Sequence, residues 1–217
     1  MNLRQTLRTL LLATAAILGT TVASYAAPIT LFNTGVDEAG TPLGNTAADP
    51  HYILTSVPSG TSGVRVANSS NGFPIPPWIG DNSLSAWIGP NSDAALNGPI
   101  GDYIYETTFN LSGLTASTAS IAGQWSVDNA GSDILLNGVS SGSTAAGFNK
   151  FDAFKITNGF HDGLNTLDFV VRNFGGPTGL RVEMTGTADS TSVPEPVSLA
   201  VLGSGLFAAG LFRRKRA

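Results

Sequence analysis

Two tryptophans are each followed by polar side chains within one proline-containing stretch. Trp78 precedes Asp81 and Asn82, and Trp87, nine residues later, precedes Asn91. An aromatic ring offers the apolar face of a pyranose a flat surface, and carboxylates and amides can bond its hydroxyls. These five residues are therefore candidates for a ligand-binding surface. Tryptophan is usually buried, so we favour the alternative in which Trp87 is a core residue on a strand and Trp78 fills one end of the fold.

The densest group of oxygen ligands in the sequence consists of Asp128, Asn129, Asp133 and Asn137. Calcium takes about six to eight oxygens from carboxylates, amides and carbonyls, so these residues are a candidate calcium site. The spacing differs from that of an EF-hand, because the twelfth position counted from Asp128 is Val139 rather than a glutamate. Turn formation by Asp and Asn explains the same residues without a metal. We expect no other cofactor.

Motifs for catalysis are lacking. The chain has no Gly-x-Ser-x-Gly elbow, no His-Glu-x-x-His, no phosphate-binding loop and no cysteine, and its two histidines are His51 and His161. Its many aspartates include no pair that the sequence nominates for glycoside cleavage. We therefore expect a non-catalytic protein. A polysaccharide-active hydrolase or lyase on the same scaffold is the alternative.

The elements that carry these residues are predicted to be short β-strands. Alternation of apolar and polar residues predicts strands over Tyr103–Leu111, Ala119–Val127, Leu164–Asn173 and Leu180–Thr187, with Arg181 and Glu183 on the outward face of the last one. Shorter candidates include Ile29–Asn33, and Asn-Gly pairs such as Asn137-Gly138 predict turns. The fold class is therefore all-β, an antiparallel two-sheet sandwich of jelly-roll or galactose-binding-like topology, with an up-and-down barrel as second choice.

The N-terminal residues 1–26 have the pattern of a secretory signal peptide. Arg4 and Arg8 precede an apolar run, and the small residues that follow place cleavage by signal peptidase between Ala26 and Ala27. Residues 27–191 would then form one domain, with 14 acidic and 5 basic side chains and a net charge of −9. Such a surface disfavours nucleic acid as a partner, because few cations could neutralise phosphates.

Residues 192–217 combine three features. Pro194, Glu195 and Pro196 break the chain, the 16 residues from Val197 to Phe212 are uncharged and apolar, and a basic cluster follows. A helix of that length is about 24 Å long, a little short of a bilayer core of about 30 Å. The basic residues that follow can reach the head groups and make up the difference, so we expect a transmembrane helix. Basic residues beside such a span stay in the cytoplasm, which places the domain outside. The cluster consists of Arg213, Arg214, Lys215 and Arg216.

This tail resembles the PEP-CTERM sorting signal of exported bacterial proteins. The resemblance implies that an exosortase recognises Pro194, Glu195 and Pro196 and cuts the chain near them, in bacteria that make exopolysaccharide. It also implies an inner-membrane-anchored precursor with a periplasmic domain, which later reaches the cell surface or extracellular matrix. An ordinary membrane anchor that is never cut is the alternative.

Part of the domain also resembles carbohydrate-binding modules. The resemblance lies in WSVDNAGSDILLNG from Trp125 to Gly138, in FNKFDAFKITNGFHDGLNTLDFVVRN and in GLRVEMTGTA. It implies a sandwich that associates with exopolysaccharide or with other surface proteins. A purely structural or adhesive surface subunit is the other alternative.

Overall fold

The computed structural model describes residues 25–58 and 63–191 of the 217-residue chain. Within them the chain forms short antiparallel strands and two 3₁₀ turns, Ser69–Asn71 and Ala116–Thr118. The strands are β1 (Ala26–Pro28), β2 (Ile53–Ser56), β3 (Arg65–Ala67), β4 (Trp87–Gly89), β5 (Gly101–Asn110), β6 (Ser120–Asp128), β7 (Ala130–Leu136), β8 (Val139–Ser140), β9 (Asp152–Ile156), β10 (Leu164–Asn173) and β11 (Gly179–Asp189).

These strands form two sheets, as the sequence predicted for a sandwich. Sheet 1 has the order β3-β4-β11-β6-β9, and β1 also pairs with β11. Sheet 2 has the order β2-β5-β10-β7-β8. Because the two sheets are separate, the sandwich prediction is confirmed and the up-and-down barrel is not the fold.

The longest strands follow the alternation of their sequence. On β5 the side chains of Tyr103, Tyr105 and Phe109 are buried, and their neighbours on the other face are more exposed. On β10 the buried residues Leu167, Phe169 and Val171 alternate in the same way. A period of two residues turns every second side chain inward, so the two sheets bury their apolar faces against each other.

Turn residues connect these strands where the sequence indicated. Asn137 and Gly138 join β7 to β8 with φ angles of 52° and 76°. Both residues of a type I′ turn need positive φ, which Asn and Gly adopt most easily. The Asn137 amide then donates to the Gly159 carbonyl oxygen and to Asn165 Oδ1.

The N-terminal strand differs from the prediction. The structure places β1 at Ala26–Pro28 instead of Ile29–Asn33. The later residues still run beside β11, since the Ile29 amide donates to the Gly186 carbonyl and the Thr34 amide to the Val182 carbonyl. These bonds are too widely spaced for a regular ladder, so the prediction of a strand over Ile29–Asn33 was wrong.

Residues Tyr25–Ser190 form one compact unit. It contains two clusters of buried hydrophobic residues, which form its core. None of the helices in the described part of the chain is long and apolar enough to span a membrane. The predicted transmembrane segment lies outside the described residues.

Candidate functional site

Arg181 fastens a loop to the outer face of sheet 1. The sequence predicted an outward-facing side chain, but Arg181 is fully buried because residues 79–85, which we call the cover segment, lie over it. Its guanidinium donates to the Gly80 carbonyl at 2.7 Å, to Ser85 Oγ at 2.8 Å and to the Ser85 carbonyl at 3.1 Å. It also lies 5.4 Å from the ring centre of Phe151. A planar group with several donors suits this arrangement of carbonyls.

Glu183, two residues further along β11, is the buried anion beside this cation. Its Oε1 accepts from Asn82 Nδ2 at 2.6 Å and from Ser85 Oγ at 2.8 Å, and its Oε2 accepts from Gln124 Nε2 at 2.8 Å. Arg181 Nη2 lies 3.8 Å from Oε1. Burial alone would raise the pKa of Glu183, but the three hydrogen bonds and the Arg181 charge hold it below its usual value.

An open groove runs beside Glu183 on this face of sheet 1. Its volume is about 440 Å³. The exposed floor consists of small side chains on three neighbouring strands, Ala122 on β6, Ala153 on β9 and Thr185 on β11. Because small residues occupy positions where larger polar ones usually stand on a sheet surface, the floor is lower than its surroundings. The remaining lining residues are Asn33, Leu84, Gly123, Gln124, Glu183 and Met184.

The walls of the groove are held by hydrogen bonds. Asn33 Nδ2 donates to the Leu84 carbonyl, and its Oδ1 accepts from the Met184 amide. Asn82 Oδ1 accepts from the amides of Leu84 and Ser85, which fixes the turn of the cover segment. The groove is therefore preformed, with one wall of amide and carboxylate groups and another that carries the exposed side chain of Leu84.

The two predicted tryptophans lie in a hydrophobic cluster rather than on a surface. Trp78 is 3% exposed and Trp87 is fully buried, with their ring centres 4.4 Å apart. Their indole nitrogens donate to Asp128 Oδ2 and to the Ile79 carbonyl, respectively. With both rings covered, a sugar could not stack on either of them in this structure.

The polar residues predicted to bind a ligand beside those rings lie apart from one another. Asp81 is exposed and accepts hydrogen bonds from the amide and hydroxyl of Ser69. Asn82 belongs to the Glu183 network at the edge of the groove. Asn91 is half-buried in the segment after β4. Of the five predicted ligand-binding residues, the structure therefore brings one, Asn82, into contact with the groove lining.

The four predicted calcium ligands are spread along β7. Asp128 and Asn129 come before this strand, Asp133 lies on it and Asn137 follows it. A strand of seven residues is about 23 Å long, so its two ends do not share one ion. Among residues 25–58 and 63–191 no group of three or more His, Asp or Glu side chains is arranged to hold a metal.

Asp128 is nevertheless an unusual carboxylate. It is 4% exposed and accepts hydrogen bonds from the indole nitrogen of Trp78 and from the side-chain amide of Asn129. Burial raises its pKa to about 6, and the hydrogen bond from Trp78 partly opposes that rise. Its backbone carbonyl accepts from the Thr178 hydroxyl, so Asp128 holds together three segments at one end of the sandwich.

Sheet 2 brings together a carboxyl pair that the sequence did not nominate. Glu106 on β5 and Asp168 on β10 are direct cross-strand partners. Burial raises the pKa of Asp168, and the neighbouring Glu106 carboxyl group raises it further. Glycosidases hold their two carboxyls at least about 5 Å apart on either side of the scissile bond. Glu106 and Asp168 stand side by side on one face of sheet 2, as direct cross-strand partners do.

Several predicted sites lie outside the described residues. These are the sorting motif Pro194, Glu195 and Pro196, the basic cluster from Arg213 to Arg216, and most of the signal segment. Ala26 and Ala27, the predicted cleavage site, are described in β1, where they pair with Asp189 and Ala188. Cleavage between them would have to precede this pairing, because a protease needs the scissile segment free.

The sequence did not identify the groove residues, because strand register decides which of them become neighbours. Gln124 and Glu183 stand on outward faces in the sequence pattern, and the pairing of β6 with β11 sets them directly opposite each other. Alanine at outward positions such as Ala122 and Ala153 could have indicated the groove, because an alternating strand normally carries larger polar residues there.

Acid should weaken the domain through Glu183. The folded-state pKa of Glu183 lies below its ordinary value of 4.5, so its ionised form adds stability above that pH, and this contribution is lost as the pH falls through the lowered value. We expect urea unfolding to give wild type an advantage over Glu183→Gln near pH 7 that shrinks near about pH 3. An advantage of equal size at both pH values would show that the fold does not favour the ionised form.

Comparison with known proteins finds distant structural similarity and no sequence family. No protein-family model and no curated protein matches the chain. A structure of CBM35 from Paenibacillus barcinonensis is 15% identical with a TM-score of 0.36, covering 62% of this chain and 92% of that chain. The CBM36-1 domain of a multidomain xylanase from the hindgut metagenome of Trinervitermes trinervoides is 14% identical with a TM-score of 0.33, covering 64% and 97%.

A third similar structure is a larger enzyme. The Podospora anserina GH26-CBM35 beta-(1,4)-mannanase is 13% identical with a TM-score of 0.31, and the match covers 67% of this chain and 29% of that chain. At these identities and TM-scores the similarities assign no role to any residue of this chain, and the sandwich described above rests on its own strand pairing.

Proposed function

We propose that this protein is an exported, non-catalytic polysaccharide-binding protein whose sandwich holds a sugar chain in the groove of sheet 1. The observation that carries the proposal is the groove itself, a preformed channel of about 440 Å³ with small residues on its floor and amide and carboxylate groups on one wall. Ligand sites commonly have volumes of about 300 to 1,000 Å³ with a few fixed polar groups. An open groove suits a polymer, because the ligand does not have to be enclosed.

Rigidity supports the same proposal. The floor lies on three hydrogen-bonded strands, and the network of Arg181 and Glu183 fixes the cover segment beside it. A preorganised surface loses little conformational entropy when a ligand binds. Sugars offer many weak contacts, so a surface that is already ordered retains more of their binding energy.

The proposal includes export of the chain and processing at both of its ends. The signal segment, the Pro194-Glu195-Pro196 motif and the basic end support a precursor that is held in the inner membrane and processed by signal peptidase and an exosortase. The sandwich would then act at the cell surface or in the extracellular matrix, where exopolysaccharide is the available polymer. Mass spectrometry of the mature chain tests this part. A C-terminus near Pro196 supports sorting, and an intact Ala217 in a host with the enzyme contradicts it.

Filling the groove floor should weaken binding. On a glycan array, the domain of residues 25–191 is expected to bind a subset of polysaccharides, and Ala122→Leu should weaken that binding at least about tenfold because its side chain occupies the channel. Thr108→Leu, an exposed residue on sheet 2, is the matched control and should bind like wild type. Equal binding by both variants and wild type would place the ligand elsewhere.

The same array distinguishes the alternative functions. Release of new reducing ends from a bound glycan would identify a hydrolase, and release of unsaturated ends would identify a lyase. A folded domain that binds no glycan would favour a structural or adhesive subunit. The proposed function requires binding without release of either product.

A further inference from the structure

We infer that the groove recognises two neighbouring hydroxyl groups of one sugar ring, which Gln124 and Glu183 bind together, so it selects polysaccharides whose linkage leaves such a pair free. This inference rests on the proposed function, since it concerns the ligand of the same groove. It follows from a hydrogen-bond donor and an acceptor that stand side by side in the groove lining.

The donor and the acceptor belong to Gln124 on β6 and Glu183 on β11, which are direct cross-strand partners. The Gln124 Nε2 atom donates to Glu183 Oε2 at 2.8 Å, and this bond uses one of its two N–H groups. The same oxygen accepts this one bond from the described residues, although a carboxylate oxygen can accept two. One unused donor and one unused acceptor site are therefore carried by atoms 2.8 Å apart.

The acceptor is a charged group. Burial opposes the ionisation of Glu183, but hydrogen bonds from three neighbours and the charge of Arg181 keep its pKa below the usual value. Glu183 is therefore ionised at neutral pH. A hydroxyl that donates to a carboxylate makes a shorter and stronger bond than one that donates to a neutral oxygen.

One hydroxyl cannot use both groups well. The unused N–H and the unused lone pair point away from the bond that joins their two atoms, so one oxygen that reached both would meet them at poor angles. Two hydroxyls on neighbouring carbons of a pyranose avoid this, because their oxygens are separated by about one hydrogen-bond length. One of them accepts from Gln124 and the other donates to Glu183.

The small residues of the groove floor let a sugar ring approach this pair. Ala153 on β9 lies directly opposite Gln124, and Ala122 lies two residues before Gln124 on the same face of β6. Thr185 on β11 lies opposite Ala122. Because these three side chains are short, a ring can lie over them with its hydroxyls at Gln124 and Glu183.

The linkage of a polysaccharide decides whether it offers such a pair. A 1,4-linked pyranose chain keeps the hydroxyls on carbons 2 and 3 in its internal sugars. A 1,3-linked chain uses the oxygen on carbon 3, so the remaining ring hydroxyls of its internal sugars are not neighbours. We therefore expect the groove to prefer 1,4-linked polysaccharides.

Two glucose hexamers test the inference. The domain of residues 25–191 is titrated with cellohexaose, which is 1,4-linked, and with laminarihexaose, which is 1,3-linked and keeps neighbouring hydroxyls only in its end sugars. We expect cellohexaose to bind at least about fivefold more tightly, the effect of about one additional hydrogen bond. If the glycan array selects another sugar, the 1,4-linked and 1,3-linked hexamers of that sugar take their place.

A change at Gln124 separates recognition of the sugar from support of the groove wall. Gln124→Met keeps the length of the side chain and removes its donor, so the affinity for the 1,4-linked hexamer should fall at least about fivefold while that for the 1,3-linked hexamer changes little. Thr108→Met, at an exposed position on sheet 2, is the matched control and should bind both hexamers like wild type. Circular dichroism checks that both variants fold.

Each outcome has a distinct meaning. Equal or tighter binding of the 1,3-linked hexamer by wild type overturns recognition of a hydroxyl pair and leaves polysaccharide binding intact. An equal loss of affinity for both hexamers in Gln124→Met, with the preference unchanged, assigns Gln124 to support of the wall and also overturns the inference. A glycan array without any bound sugar overturns the proposed function itself.

Discussion

Replacing Trp125 with alanine is expected to lower the free energy of unfolding by about 3 to 5 kcal/mol. Trp125 is fully buried on β6, an inner strand of sheet 1 that pairs with both β11 and β9. Its ring centre lies 5.8 Å from that of Phe169 on the opposite sheet. Gly131 lies against the ring so closely that any Cβ there would overlap it. The alanine variant would leave a cavity that the rigid sheets cannot close.

Urea unfolding of residues 25–191 measures this effect. Trp125→Phe is the matched control, since it keeps an aromatic ring between the sheets and should cost less than the alanine variant. Ala153→Ser, an exposed change on the same sheet, should leave the unfolding midpoint within error. A midpoint that does not move in Trp125→Ala would mean that this ring is not part of the core.

Replacing Arg181 with methionine should cost a similar amount, about 3 to 5 kcal/mol. The substitution removes the donors to Gly80 and Ser85 and leaves Glu183 without its neighbouring cation. A buried charge that loses its partner destabilises more than the original pair stabilised. The cover segment should also loosen, because its carbonyls lose the guanidinium that holds them.

A double variant separates charge from packing. Arg181→Met combined with Glu183→Leu removes both charges, so it should be less destabilised than the sum of the two single changes. Hydrogen exchange should rise at residues 79–85 in Arg181→Met and remain low in β10, which lies on the other sheet. Additive single effects would show that the two charges do not interact, and unchanged exchange in the cover segment would contradict the role of Arg181.

The sequence predicted the parts of the fold that depend on local pattern. The bounds of β10 match the predicted range, and the inward residues of β5 and β10 are those that alternation indicated. The Asn137-Gly138 turn also forms as predicted. Such features follow from the two-residue period and from the φ preferences of turn residues, so they need no knowledge of distant contacts.

Features that depend on distant contacts escaped prediction. Arg181 and Glu183 alternate correctly with Val182, yet the cover segment, about 100 positions earlier in the chain, buries them. The groove needs the register of β6 against β9 and β11, which the sequence pattern does not specify. A period of two residues shows which face of the sheet a side chain occupies. It does not show which other segment of the chain covers that face.

Chemical-shift mapping shows where a bound sugar lies on the domain. Amide and side-chain resonances of residues 25–191 are recorded during titration with a neutral oligosaccharide selected on the array. We expect the shifts to concentrate on the groove, at Ala122, Gln124, Ala153 and Thr185, with little change at the loop that carries the exposed Phe174. Shifts centred on Phe174, with the groove resonances unmoved, would contradict the account.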